Sequence, residues 1–418
     1  MTFPGSVDVA VIGAGAAGLG AAGRLKGSAA SFVVLEARGR VGGRGHTVTI
    51  DGHPLDLGCG WLHSARQNSW AGVAQSLGLK IDSSPPAWAR PALNFPPEEQ
   101  RAYRKAFGAF EDRLDAAAHG PDRPASDLFA PEDARWRPLL DVFSGIYNGA
   151  SFEEISVKDY AAYQPTEDNW RVVIGYGALM TAFAADLPVI LDCPVTLLDR
   201  RNSNLRLLTA KGVLQARSAI VCVPTSVLAE EGLRIDPPLP DKIDAAGALP
   251  LGNVDKVFLH LEGAGQFDPD TRVQARTDTT DTGGYTLRPM GMPVVEAYFG
   301  GRVAARLEQE GPGAFGAFAR QELVEVFGSE FGRRLRPLVE SRWSADPFSR
   351  GAYSHARPGF SDRRAVLSAP VENRLFFAGE ACSPHAFSTA HGAYDTGVAA
   401  AEAALEAVGE PVRMARRP

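Results

Sequence analysis

The sequence predicts an α/β protein: a Rossmann-like dinucleotide-binding domain, in several pieces, interleaved with an α+β domain. Three observations carry this. An apolar strand runs into a glycine-rich turn and a small-residue helix near the N-terminus; a second apolar strand ends in an acid; and helix-rich and strand-rich stretches alternate along the rest of the chain.

The opening unit reads Val7-Asp8-Val9-Ala10-Val11-Ile12, then Gly13-Ala14-Gly15-Ala16-Ala17-Gly18. Gly13 permits the turn, Gly15 lets backbone approach a pyrophosphate with Ala17 as a further cofactor-binding candidate, and Gly18 lets the helix pack closely on the sheet. The free N–H groups of that helix start suit phosphate. Glu36 closes the strand Ser31-Phe32-Val33-Val34-Leu35-Glu36, eighteen residues after Gly18. A carboxylate there can accept both hydroxyls of an adenosine ribose and disfavours a 2′-phosphate. A second match to the glycine spacing, Gly311 to Gly316, follows a charged helical stretch rather than a strand and is set aside.

Composition narrows the class. With 418 residues, 45% hydrophobic and 22% charged, the chain is long enough for two or three units and ordinary for a globular protein. Its net charge of −6, with small basic clusters only at Arg333-Arg334-Leu335-Arg336 and at Arg413, Arg416 and Arg417, argues against nucleic acid as a partner. No run of about 18–20 apolar residues occurs, so no membrane span is expected. Val9 to Gly23 imitates a signal sequence but lacks a basic start and carries the phosphate-loop glycines. The four cysteines, Cys59, Cys193, Cys222 and Cys382, form no C-x-x-C pair, which predicts a reducing, cytoplasmic setting and no structural zinc.

Along the chain, a β-rich stretch to about Lys80 gives way to a Pro-rich passage and then a helical pattern over Glu98 to Leu114. Short strands return after Gly175, at Val189-Ile190-Leu191 and Ala219 to Val223. A second insertion from about Asp241 holds a strand over Val254 to His260 and a helix over Pro312 to Phe327. The chain closes with a strand, Arg374 to Glu380, and a helix from Gly392 to about Val408, with Gly409 as its C-cap. The expected division is 1–80, 169–240 and 341–418 for the nucleotide-binding domain and 81–168 and 241–340 for the second domain.

Several residues invite chemistry. The period of two places Lys256 on the face of Val254 and Phe258, where it reads either as an edge lysine snorkelling to water or as a functional amine. Tyr353 and Tyr394 stand forty-one residues apart, so spacing alone does not bring them together. Facing one another beside a flavin, they would form an electron-rich slot for an amine. Trp61 and His63 follow Gly58-Cys59-Gly60, a small-residue passage that lets a large cofactor approach backbone. No G-x-S-x-G elbow or metal-ligand spacing occurs, which removes hydrolase and metalloenzyme readings.

Together these residues resemble the flavin-containing amine oxidases, which include monoamine oxidases, polyamine oxidases and flavin-dependent histone lysine demethylases. The likeness runs nearly end to end. Leu35-Glu36-Ala37-Arg38 with Arg40-Val41-Gly42-Gly43-Arg44 resembles the family's ribose and pyrophosphate segment, and Asp56-Leu57-Gly58 leads through Cys59, Gly60 and Trp61 along its flavin-facing passage. Val195 matches the valine that holds adenine through backbone. Phe377-Ala378-Gly379-Glu380 resembles the C-terminal signature whose glutamate contacts FAD, and Ser388-Thr389-Ala390-His391-Gly392-Ala393-Tyr394 the helix start beneath the isoalloxazine. Lys256 matches the lysine that holds a water near flavin N5, Trp343 a tryptophan near that site, and Tyr353 and Tyr394 the two aromatic-cage positions. Trp61-Leu62-His63 is similar to the W-I-H of animal polyamine oxidases.

The resemblance implies an FAD-binding domain interleaved with a substrate-binding domain, and oxidation of an amine to an imine, with molecular oxygen reduced to hydrogen peroxide. Ala352 stands where monoamine oxidases carry the cysteine bonded to flavin, so FAD is expected to bind non-covalently. Their C-terminal membrane helix has no counterpart in this sequence. An amino-acid oxidase, dehydrogenase or desaturase of the same fold is the alternative, with Arg171, Arg288 and Arg350 as candidates to hold a substrate carboxylate. A non-catalytic FAD-binding scaffold is the third reading. Oligomeric state is left open.

Overall fold

The computed structural model describes residues 3–410. The opening strand Ser6–Ile12 is apolar on both sides because both faces are covered: Val9 and Val11 pack with helix residues Leu19 and Leu25, while Ala10 and Ile12 pack into a second core with Leu198 and Leu207. Full burial of each of the Val, Leu and Ile side chains contributes about 1.5–3 kcal/mol. This strand pairs in parallel with Phe32–Leu35 on one side and Gly212–Val221 on the other, near the middle of an eight-stranded sheet. Leu375–Phe377, from the far end of the chain, joins that sheet in parallel beside Gly212–Val221.

Helices Ala16–Lys26 and Ala390–Ala407 cover one face of this sheet in close mutual contact. The approach is backbone on backbone: a Cβ at Gly397 would stand 1.9 Å from the Ala17 carbonyl oxygen. The Thr389 hydroxyl caps the last helix, accepting from Gly392 N at 3.0 Å.

A five-stranded antiparallel sheet forms the second layer system, in the order Thr271–Gln274, Gly284–Leu287, Val294–Gly300, Val254–Leu261, Leu335–Glu340. One face, with Val257, Leu259, Ala297 and Phe299, packs on helices Gly301–Glu310 and Ala314–Phe327. The other face carries Lys256, Glu296 and Tyr298. Helices Pro97–Ala117 and Arg137–Asn148 form a separate aromatic core around Phe110 and Phe152. The Pro-rich passage is tied to this sheet's edge, with Leu93 N donating to Arg272 O at 2.9 Å and Gln274 N to Leu93 O at 3.0 Å.

The elements differ from expectation in four places, one being the last helix, which begins at Ala390 rather than Gly392 and has Val408 rather than Gly409 as its C-cap. Ser69–Ser76 is a helix inside the stretch read as β-rich, started by the Asn68 side chain accepting from Trp70 N. The helix expected from Pro312 begins at Ala314 and is preceded by another, Gly301–Glu310; Gly311 and Gly313, at φ 103° and 89°, form the joint. The closing strand is only Leu375–Phe377, and Glu380 opens a 3-10 turn beyond it. Arg413, Arg416 and Arg417 lie outside the described residues. Among the described residues no helix is long and apolar enough to cross a membrane.

Candidate active site

A single cavity of about 850 Å³ runs from the glycine turn to the substrate-side sheet and helices. At its nucleotide end lie Gly13, Gly15, Ala17, Glu36, Ala37, Arg38 and Gly43. Gly18 does not reach the cavity; a Cβ there would stand 1.8 Å from Gly13 O, so its role is the tight packing of helix on turn. Glu36 is 3% exposed and its carboxylate is fixed by two backbone donors, Ala14 N at 2.6 Å and Arg38 N at 2.8 Å. Arg38 Nη2 reaches Asp346 at 2.5 Å and Ser349 at 2.8 Å, leaving Arg38 Nε buried with no partner among the described residues. Val195 lines the cavity beside Pro194 and Thr196. An acid held by backbone, a glycine turn at a helix start and an orphaned guanidinium N–H fit the ribose and phosphates of a dinucleotide.

The middle of the cavity is lined by Arg44, Gly58, Cys59, Gly60, Trp61, Gly379, Glu380, Thr389 and Ala390. Arg44 and Glu380 form an ion pair at 3.1 Å, and Arg44 also donates to Ala352 O. Glu380 accepts from Ser354 Oγ at 2.7 Å and Ser388 N at 2.9 Å. Burial would push its carboxyl pKa up, but Arg44, Arg364 and these donors outweigh it and hold the pKa below the ordinary value.

Beyond lies the candidate reaction chamber. Lys256 is 4% exposed; its ammonium contacts Glu296 Oε1 at 2.9 Å and Asp56 O at 3.2 Å, and sits 5.2 Å from the centre of the Tyr298 ring. This is not the snorkelling arrangement. Burial opposes its charge, but Glu296, Tyr298 and Asp56 prevail and raise its pKa, so it remains an ammonium. Trp343 donates through Nε1 to Leu57 O at 3.1 Å, and its own N–H donates to Asp255. His63 pairs with Asn169 Oδ1 at 2.6 Å, and burial lowers its pKa, keeping it neutral. The Tyr353 hydroxyl donates to Ile146 O, and Trp61 meets Trp88 edge-on with ring centres 4.5 Å apart.

Tyr394 is a correction. It does not line the cavity; its ring packs edge-on against Trp70 at 5.0 Å and near Phe183 at 6.1 Å, behind the last helix. The cavity face of that helix start is Thr389, Ala390 and Ala393, and Tyr394 follows Ala393 by about 100° around the axis. The slot between Tyr353 and Tyr394 does not form. Tyr298 is the tyrosine that neighbours Tyr353.

The arginines offered for a substrate carboxylate are engaged elsewhere. Arg171 pairs with Asp270 at 2.5 Å and Asp82 at 2.7 Å, Arg350 with Glu230 at 2.7 Å, and Arg288 donates to Phe267 O at 2.5 Å.

The chain matches the family model described as flavin containing amine oxidoreductase over residues 16–405. The protein belongs to the flavin-containing amine oxidoreductases. Relatives within this family include Polyamine oxidase 4 of Oryza sativa subsp. japonica, 29% identical over 94% of this chain and 88% of that protein. Polyamine oxidase 2 of Arabidopsis thaliana is also 29% identical, over 95% of this chain and 88% of its own length. Lysine-specific histone demethylase 1 homolog 2 of Arabidopsis thaliana is 26% identical over 94% of this chain and 57% of that protein. In fold, the structure superposes on putrescine oxidase solved with putrescine bound at TM-score 0.76, with 22% identity over 95% of this chain and 98% of that one. This flavin-dependent amine oxidoreductase therefore keeps the family's mixed α/β fold.

Sequence reasoning missed Glu296, Tyr298 and Asp255. Glu296 and Tyr298 were legible only as the non-core face of a strand in which Val295, Ala297 and Phe299 alternate with them. Asp255 stands beside Lys256 in sequence but points the other way, accepting from Ser341 Oγ at 2.8 Å and Trp343 N at 3.0 Å.

Proposed function

We propose that this amine oxidoreductase uses non-covalently bound FAD to oxidise an amine to an imine, which water hydrolyses to an aldehyde or ketone, while molecular oxygen takes the two electrons and becomes hydrogen peroxide. The observation that carries this reading is the convergence on one cavity of a dinucleotide-type cradle at Glu36 and an aromatic chamber holding the buried Lys256–Glu296 pair. FAD, when bound, would supply the two-electron acceptor. Glu36, Arg38, Val195, Arg44, Glu380 and Thr389 are the residues that would hold it.

Tyr353, Tyr298 and Trp61 line the chamber in which the amine would be oriented. The Lys256 ammonium has three donors, of which the Glu296 and Asp56 contacts use two. The third is free to hold a water beside the flavin site, through which Lys256 would assist reoxidation. Because the reacting amine must be unprotonated, activity should rise toward alkaline pH.

Non-covalent binding is supported by Ala352 and by the chemistry of the thiols. Cys59 lines the cavity, yet burial pushes its pKa up to about 12, away from the reactive thiolate. Cys382 is likewise buried, at about 12, and lies off the main cavity. All four thiols are free, which supports a cytoplasmic setting.

The test is anaerobic mixing of purified protein with monoamines, diamines and polyamines, following loss of the visible flavin band, then admission of air. Bleaching reversed by air with peroxide formed supports the reading; no bleaching by any amine overturns it. A Lys256→Met variant that is reduced and reoxidised at wild-type rates would remove Lys256 from the proposal. Yellow colour left on an acid-precipitated pellet would refute non-covalent binding.

A further inference from the structure

Five arginines line the cavity, and four of them are matched to acids: Arg38 to Asp346, Arg44 to Glu380, Arg171 to Asp270 and Arg350 to Glu230. The fifth, Arg272, has no acid and no hydrogen-bond partner for its guanidinium among the described residues. Its charged neighbour is another cation, Arg104, with Tyr103 beside it. Burial presses its pKa down, Tyr103 opposes this in part, and Arg104 adds a smaller push downward. A half-buried guanidinium facing a cavity without a counter-ion is costly unless something that enters the cavity supplies one.

The sheet fixes where that charge stands. Arg272 pairs across strands with Thr286, Thr286 with Glu296, and Glu296 with Phe258, two residues from Lys256 on the same face. Arg272, Thr286 and Glu296 therefore form one row across the cavity floor, all three lining it. With strands about 4.8 Å apart, three strand spacings put the Arg272 backbone about 14 Å from the strand that bears Lys256. The Arg272 backbone is itself held in place by the Leu93 strap through Arg272 O.

We infer that Arg272 is a specificity determinant that binds a carboxylate on the substrate, at the end remote from the amine being oxidised. The guanidinium fork suits a carboxylate in bidentate contact. A guanidinium anchored three strands from Lys256 favours an amine whose acid lies several methylenes from its nitrogen over an α-amino acid, whose carboxylate sits two bonds away. This rests on the amine-oxidation reading above and narrows its substrate class.

The rival tenant of the same chamber is a second ammonium, drawn to Glu111, which also lines it within an aromatic wall of Tyr103, Phe107 and Tyr160. Matched substrates separate the two: an ω-amino acid, the diamine and the unbranched monoamine of equal chain length, each in a series of lengths. Holoenzymes of wild type, Arg272→Met, Arg272→Lys and Glu111→Gln are compared by flavin bleaching and oxygen uptake. Expected is a wild-type preference for an ω-amino acid, a KM for it raised about 10- to 100-fold in Arg272→Met, partial rescue in Arg272→Lys, and unchanged kinetics for the monoamine. Equal effects of Arg272→Met on all three substrates, or a preference for the diamine that Glu111→Gln abolishes, overturns the inference while leaving amine oxidation intact. Bleaching by none of the compounds overturns amine oxidation, and this inference with it.

Discussion

The Lys256 ammonium lies 2.9 Å from the Glu296 carboxylate, across the strand pair whose register sets Lys256 opposite Tyr298 and Glu296 opposite Phe258. The two charges are diagonal neighbours on one face of an antiparallel pair, and the chamber removes both from most of their water. Removing one partner leaves the other uncompensated. Lys256→Met and Glu296→Gln should each lower stability by about 3–5 kcal/mol, and the double variant by less than the sum. Urea unfolding of the four proteins checks this, and strict additivity would show the pair to be uncoupled.

The two tyrosines should behave differently. Tyr394→Phe is expected to leave kcat and KM unchanged, whereas Tyr394→Ala should cost about 2–4 kcal/mol by hollowing the contact with Trp70 and Phe183. Tyr353→Phe breaks the hydroxyl's bond to Ile146 O and should cost about 1 kcal/mol while altering amine kinetics. Thermal unfolding together with steady-state rates distinguishes a packing residue from one facing substrate.

Glu36 is fixed through Ala14 N and Arg38 N, so a substitution there both disturbs the cradle and weakens its hold on the nucleotide. Glu36→Gln should raise the dissociation constant for the flavin cofactor about 10- to 100-fold. Recovery of free-flavin fluorescence on dilution measures it.

Asp255 supplies a pH signature. Burial, reinforced by Glu308, pushes its pKa up to about 7, against an ordinary carboxyl near 3.8, and its second oxygen has no partner among the described residues. The folded state thus binds more protons than the unfolded one between these values, and stability falls as pH rises from about 4 to about 7. Asp255→Asn should flatten that slope, whose full extent is on the order of a few kcal/mol. Urea midpoints measured across the same interval are the test; an unchanged slope in the variant would assign it to other groups.

What could be read from the sequence was local. The strand, glycine turn, helix and Glu36 lie within thirty residues, and each has a positional requirement that few residue types satisfy. Lys256 was conspicuous because a charge on an apolar strand face needs a reason. Glu296 was not, because its meaning depends on a register between strands forty residues apart. Tyr394 was misplaced because one step along a helix rotates a side chain by about 100°, a difference that motif spacing does not resolve. Arg272 was hidden for a different reason: its significance lies in what fails to surround it.

The seam between Ala17 and Gly397 bears on how the protein is made. The helix whose amino end lines the nucleotide end of the cavity is clamped by one nearly four hundred residues downstream, and Glu380 and Thr389 come from that same later segment. During synthesis the residues around Gly13 and Glu36 emerge long before Glu380, Thr389 and the helix Ala390–Ala407, which line or close the same cavity. On the FAD reading proposed above, a protein cut short before the helix Ala390–Ala407 is expected not to become yellow, however well its early strands had formed.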